Sequence, residues 1–203
     1  MSAGDDILIL LAAGSARRMQ AVVDDKITAL LAGKPVFVHS LQSFLSTGLI
    51  GRVVITYRDE AQLTKLKAQL AGHAPAGAVV DFVPGGESRQ DSVLAALNTC
   101  EGHAGLVHIH DGARPLVSAE AIRKVREKAK ETGAAILAGR AADTVKIAKA
   151  DSASVDTSPD RGLVWTAETP QVFRTSIVLK AYRKVAELQR KVTDDSSAVE
   201  FVG

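Results

Sequence analysis

The chain has 203 residues, of which 46% are apolar and only 4% aromatic, enough for one sizeable core of aliphatic side chains. Lysine and arginine total 25 against 23 aspartates and glutamates, a formal charge of +2 that offers no basic field of the kind that draws nucleic acid. Cys100 as the single cysteine excludes a disulfide framework or zinc-finger spacing, and the most apolar run, residues 7–13, is too short to cross a bilayer. Asp5 and Asp6 stand where a secretory leader needs positive charge, so a soluble cytoplasmic protein is expected.

Residues 7–13 read as a first strand, apolar without alternation and therefore covered on both faces. Behind Pro35, which suits a first helical turn, Phe37, Leu41, Phe44 and Leu45 recur at helical spacing. A strand at 53–57 precedes a helix carrying Leu63, Leu66 and Leu70, with Asp59 and Gln62 spaced as a capping box. The strand at 79–83 leads to a stripe of Val93, Leu97 and Cys100. The strand at 106–110 leads to Ile122, Val125 and Ala129, on a helix that starts at Ser118 and stops at Gly133. Residues 134–138 complete the series. This alternation predicts a doubly wound α/β fold with a mainly parallel sheet, in one domain spanning 1–203.

The rhythm breaks at about 140–162, a polar stretch too long for an ordinary connection. Within it, Thr144-Val-Lys-Ile-Ala-Lys149 alternates like a strand with one apolar face and no local partner, which predicts a projecting β-arm that pairs with something else. Helical spacing resumes over 177–191, with Val178, Ala181, Tyr182, Val185 and Leu188 inward.

Three segments at strand ends carry the chemistry. Leu11-Ala-Ala-Gly-Ser-Ala-Arg-Arg-Met19 puts small residues where a ligand approaches backbone amides, followed by guanidinium groups that match phosphate geometry. Gly85 and Gly86 precede a helix at a strand's carboxyl end, where open α/β sheets bind ligands. In His108-Ile-His-Asp-Gly-Ala-Arg-Pro-Leu116, Asp111 suits a hard divalent cation and Arg114 a phosphate. A P-loop and the three-glycine dinucleotide fingerprint are both absent. His108 and His110 alternate on one strand and are expected to serve structure.

The set Leu11-Ala-Ala-Gly-x-x-x-Arg-Met19, Gly85-Gly-x-x-Arg-x-x-Ser92, His110-Asp-Gly-Ala-Arg-Pro-Leu-Val117, Thr169-Pro-Gln171 and Thr193-Asp-Asp-Ser-Ser-Ala-Val-Glu200 resembles the 2-C-methyl-D-erythritol 4-phosphate cytidylyltransferases of the non-mevalonate isoprenoid pathway. The resemblance runs from about residue 7 to the last residue, with the motifs in the family's order. It implies a Rossmann-like nucleotidyltransferase in which Ala12, Ala13, Gly14, Gly86, Glu87 and Gly112 contact CTP and Ser92 lies near the ribose. Arg18 and Lys26 would neutralise the triphosphate and the charge growing at the α-phosphorus, and Asp111 would hold Mg²⁺. Arg114, Thr144, Arg161, Thr169 and Thr193 resemble the contacts to the sugar-alcohol phosphate. Thr144 and Arg161 belong, in the family, to an arm reaching the neighbouring subunit's site, which implies a homodimer.

A phosphate-ester oxygen, its second pKa about 6, is already a nucleophile at neutral pH, so such a transfer needs no general base. This sequence departs from the family in Ala16 for a usual second glycine, Asp25 for a common proline before Lys26, and Gly112 for alanine. The family also continues with a further strand and helix beyond the point corresponding to Phe201-Val-Gly203, so a longer polypeptide is expected. Two alternatives stay open: a cytidylyltransferase acting on ribitol 5-phosphate, and a nucleotide-binding homologue of weak turnover.

Overall fold

The computed structural model describes residues 4–14, 25–73, 78–151 and 153–203. Its elements run β1 (Asp6–Leu11), β2 (Leu30–Leu31), β3 (Lys34–Pro35), α1 (Val36–Leu45), β4 (Ile50–Tyr57), α2 (Glu60–Ala71), β5 (Val79–Pro84) and α3 (Arg89–Asn98). There follow β6 (Leu106–Asp111), α4 (Ala119–Thr132), β7 (Ala134–Arg140), β8 (Ile147–Ala148), β9 (Val155–Thr157), a 3₁₀ turn at Arg161–Leu163, β10 (Trp165–Arg174), α5 (Thr175–Glu187) and α6 (Asp195–Val202).

Six strands form the central sheet in the order β5-β4-β1-β6-β10-β7. β5, β4, β1 and β6 are parallel, while β10 runs antiparallel to both β6 and β7. Successive side chains of β1 point to opposite faces. Ile7 and Ile9 therefore pack with α3, α5 and α6, against Val93, Leu97, Val178, Tyr182 and Ala198. Leu8 and Leu10 pack with α1 and α2, against Phe37, Leu41, Phe44 and Leu66, and Ile122 brings α4 to the same face. Burying each of the valine, leucine, isoleucine and phenylalanine side chains among them contributes roughly 1.5–3 kcal/mol. The sandwich is the doubly wound architecture expected of the sequence.

Local details correct several expectations. Pro35 is the residue before α1 rather than inside its first turn. Asp59 caps α2 by accepting from the Gln62 N–H at 2.8 Å, but the Gln62 side chain turns back past the cap to the N–H of Arg58, so the reciprocal half of the capping box does not form. The reciprocal pair forms instead on α3, between Ser88 and Asp91. β10 was not expected, and α5 ends at Glu187, which leaves Leu188 49% exposed rather than inward. The 144–149 segment does have a local partner: β8 pairs with β9 in a two-stranded sheet apart from the central one. Ile147 and Val155 on that hairpin, with Leu163 and Trp165 at its base, are all exposed. Among the described residues no helix is long and apolar enough to cross a membrane.

Candidate active site

Strand order reverses between β1 and β6, since β1 continues outward to β4 and β5 while β6 leads the other way to β10 and β7. Such a switch point opens a crevice at the carboxyl ends of the strands. Leu11 is in register with Asp111 across that point, and with Thr56 on its other side. The Ala12 turn, the β5–α3 loop and the β6 end therefore meet along one edge.

The Ala12 N–H donates to the buried hydroxyl of Thr56 at 3.1 Å, and its carbonyl accepts from Gln62 at 3.1 Å. A Cβ on Gly85 would lie 2.5 Å from that of Ala13 and 2.8 Å from Ser92 Oγ, so only glycine lets these two loops touch. Gly86 and Glu87 are exposed beside them. Ser92, 5% exposed, accepts from the Gly86 N–H at 3.1 Å and donates to the carbonyl of Ser88 at 2.9 Å, which shapes the loop. Gly112 is buried, with its N–H on the Leu11 carbonyl and its own carbonyl receiving Ser40. Lys26 is half-buried next to the buried Asp25. Arg18 lies outside the described residues.

Asp111 ends β6 between two guanidinium groups: Arg89 Nε is 3.2 Å from Oδ1, and Arg114 Nε 3.2 Å from Oδ2. Arg89 in turn grips Asp195, which is fully buried, through Nη1 at 3.0 Å and Nη2 at 2.8 Å. Burial works against the Arg89 charge, but Asp195 and then Asp111 hold its pKa above the ordinary arginine value. The Tyr182 hydroxyl donates to Asp195 Oδ1 at 2.5 Å, and burial followed by that carboxylate drives the phenol pKa upward. Behind Asp111, His110 Nε2 donates to the Arg114 carbonyl at 3.1 Å, so Nδ1 accepts from Thr169 Oγ1 at 3.0 Å. Thr169 Oγ1 also accepts from the Asp111 N–H at 3.3 Å. Burial pulls the His110 pKa down to about 4, which keeps the ring neutral at pH 7.

The sequence-derived residues thus divide. Asp111, Arg114 and Thr169 are joined directly, and Thr193 sits exposed just before α6, its hydroxyl 2.8 Å from that of Ser197. Thr144 and Arg161 are exposed on the arm, where Arg161 Nη1 donates to the Ala142 carbonyl at 3.2 Å. No hydrogen bond among the described residues links Thr144 or Arg161 to Asp111. Arg89, Gln171 and Asp195 stood in the motifs without a role, and Gln62 only as half of a capping box. Thr56 had no signal, and the contacts of all five are legible only in the fold because their partners lie far away in the chain. Gln171, 1% exposed, donates to Asp194 Oδ2 at 2.8 Å and accepts from the Ser196 N–H at 2.8 Å, fastening α6 to β10.

Asp111 fits a magnesium site of the substrate-assisted kind: one partly open carboxylate, with no cluster of three or more His, Cys, Asp or Glu among the described residues to form a closed cage. Magnesium commonly takes one or two carboxylates and completes its shell with substrate phosphates and water.

A family model described as 2-C-methyl-D-erythritol 4-phosphate cytidylyltransferase (IspD) matches residues 7–203. A curated protein of that name from Symbiobacterium thermophilum is 36% identical over 196 residues, 97% of this chain and 80% of the relative. One from Shouchella clausii is 38% identical over 192 residues, 95% of this chain and 81% of the relative. Among solved structures, 4-diphosphocytidyl-2C-methyl-D-erythritol synthase from Anaerococcus prevotii superposes with a TM-score of 0.84 at 27% identity, covering 99% of this chain and 85% of that one. The Francisella tularensis 2-C-methyl-D-erythritol 4-phosphate cytidylyltransferase gives 0.74 at 30%, covering 98% and 86%. With its motifs, its sheet and these matches in agreement, the chain belongs to the 2-C-methyl-D-erythritol 4-phosphate cytidylyltransferase family.

Proposed function

We infer that this protein transfers the cytidylyl group of CTP to 2-C-methyl-D-erythritol 4-phosphate, giving 4-diphosphocytidyl-2-C-methyl-D-erythritol and pyrophosphate. The observation that carries the reading is Asp111 at the sheet's switch point, framed by Arg89 and Arg114 beside the small-residue turn at Ala12, in a chain whose family match spans residues 7–203.

In this reading CTP lies over Ala12, Ala13 and Gly14, between them and Gly86 and Glu87. Ser92 and Gly112 act by holding those loops, since their polar groups are engaged within the fold. Arg18 and Lys26 would neutralise the triphosphate. Arg114 receives the phosphate of methylerythritol phosphate, Thr193 lines the same side, and Thr169 keeps the β6 end in place through His110. A phosphate oxygen of the substrate attacks the α-phosphorus in line, a new P–O bond forms, and the bond to the departing pyrophosphate breaks. The nucleophile needs no base. The chain's work is orientation and charge neutralisation, which is where phosphoryl transfer gains its rate. Magnesium, held by Asp111 with the triphosphate, would supply further charge neutralisation.

The exposed apolar residues of the β8–β9 arm support a homodimer in which Thr144 and Arg161 are presented to a neighbouring subunit. The water-soluble phosphorylated substrates of this reaction and the bacterial origin of the relatives support a bacterial cytoplasmic setting.

Pyrophosphate release with CTP and Mg²⁺ tests the reading, comparing methylerythritol 4-phosphate with ribitol 5-phosphate and using Asp111→Ala as control. Release with the first substrate alone, abolished in the control, is expected. Release with ribitol phosphate alone would move the activity to the sister reaction.

A further inference from the structure

The chain returns to Lys26 through a side-chain clamp. Gln62 lies in the first turn of α2 yet is only 3% exposed, unusual for a glutamine. Its Oε1 accepts from the Arg58 N–H at 2.7 Å. Its Nε2 donates one hydrogen to the Ala12 carbonyl at 3.1 Å and the other to Asp25 Oδ2 at 2.7 Å. Asp25, 8% exposed, uses its other oxygen to accept from the Ile27 N–H at 2.9 Å, so its carboxylate bridges across Lys26. Arg58 Nη1, 4.0 Å from Asp25 Oδ2, balances the charge. Thr56 fixes the other side of the Ala12 peptide through its N–H. One amide therefore ties the end of β1 to the segment that carries Lys26.

We propose that Gln62 and Asp25 are positioning residues for cytidylyl transfer, setting the distance between the Ala12 turn that receives the nucleotide and the lysine that neutralises it. The proposal rests on the reading of Lys26 given above. Lys26 lies between the two residues that the Asp25 carboxylate joins, so its backbone cannot shift while that carboxylate holds Ile27 and Gln62 together. Buried polar groups satisfied this fully rigidify their surroundings. Releasing the clamp lets the ammonium drift from the place where charge builds, which weakens the transition state more than the bound nucleotide.

A polarity swap tests this. Gln62→Glu keeps the acceptor for Arg58 but sets a carboxylate against Asp25. Adding Asp25→Asn restores a donor–acceptor pair across the same gap, with the donor now at position 25 and the summed charge unchanged. Steady-state pyrophosphate release and calorimetric melting are measured for both, with Lys26→Met alongside. In Gln62→Glu, kcat is expected to fall about ten- to a hundredfold, with KM for CTP within about twofold. The double variant is expected to recover part of that loss, because the contact between positions 62 and 25 returns while the Ala12 carbonyl stays without its amide donor. A wild-type kcat in Gln62→Glu, with Lys26→Met impaired, overturns the clamp and leaves the lysine's role standing. An unimpaired Lys26→Met overturns the lysine's role and the clamp with it. A loss that follows the folded fraction and is not restored by the swap also overturns the clamp. Gln62→Met, which introduces no charge, takes the place of Gln62→Glu should that variant fail to fold.

Discussion

Arg89 holds Asp195 and Asp111 with unequal grips. Both terminal nitrogens go to Asp195, at 3.0 and 2.8 Å, whereas only Nε reaches Asp111, at 3.2 Å. Asp195 is fully buried and Asp111 partly open. The guanidinium is therefore committed to the core, and Asp111 rests against a charge that does not move.

Removing that charge leaves Asp195 in the core with, among the described residues, the Tyr182 hydroxyl as its remaining side-chain donor. Arg89→Met is expected to destabilise the fold by about 2–3 kcal/mol, below the cost of breaking a fully buried pair because Asp195 is buried but Arg89 is about one-third exposed. Urea unfolding at pH 7 measures it. A loss below about 1 kcal/mol would mean that the pair is not desolvated as described.

Asp111→Asn keeps the shape of the β6 end but removes the carboxylate charge that faces Arg89 and Arg114. The kcat of pyrophosphate release is expected to drop by about a hundredfold or more, the scale of losing one preorganised charge contact at a transition state. Calorimetric titration of CTP without metal should give a dissociation constant close to that of the parent. A variant with parental kcat would remove Asp111 from the reaction.

His110 makes stability depend on pH in a defined window. Its folded pKa is depressed from 6.5 to about 4 by burial, so the unfolded chain binds the extra proton between those values. Stability is full above pH 6.5 and declines as pH falls toward 4, by on the order of 3 kcal/mol in total. Asp6 acts lower still. Burial opposes its charge, but His108 and Arg126 hold its carboxyl below the usual 3.8, so its contribution fades only beneath that value. Unfolding free energies at pH 7, 5.5 and 4.5 should slope in the parent and be flatter in His110→Gln; parallel slopes would contradict the assignment.

Gly85→Ala introduces a Cβ 2.5 Å from that of Ala13. The two loops must part, at a cost of about 1–3 kcal/mol, and KM for CTP should rise more than kcat falls.

Ile147 and Val155 are 47% and 54% exposed on the arm. Replacing both with aspartate is expected to shift sedimentation from dimer to monomer and to abolish turnover while CTP binding persists. A variant that remains dimeric would place the subunit contact elsewhere.

The parallel strands were legible because each is a short apolar run between helical stripes, and the ends of those runs place Ala12, Gly85 and Asp111 together without further information. β10 was not legible. It holds Trp165, Glu168 and Pro170 in one strand, and its identity depends on slotting between β6 and β7. Leu188 matched the α5 stripe by spacing, but the helix had already ended. Asp25 and Gln62 are 37 positions apart, and Arg89 and Asp195 are 106 apart. Nothing local distinguishes such partners from solvated polar residues, since burial decides their roles and burial is a property of the finished sheet.

β10 begins at Trp165, whose ring lies 4.8 Å from the Arg140 guanidinium at the base of the arm, and reaches the core at Phe173, one residue before its end. Its first residues, Trp165, Thr166 and Ala167, pair with β7; from Gln171 onward it is held by β6 as well as β7. Between those anchors Glu168, Thr169 and Pro170 skip the ladder, and Thr169 braces His110 from there. The strand thus runs from the base of the arm to the candidate site through one unladdered segment. In the proposed dimer, each subunit's arm would be joined to its own site by that single strand.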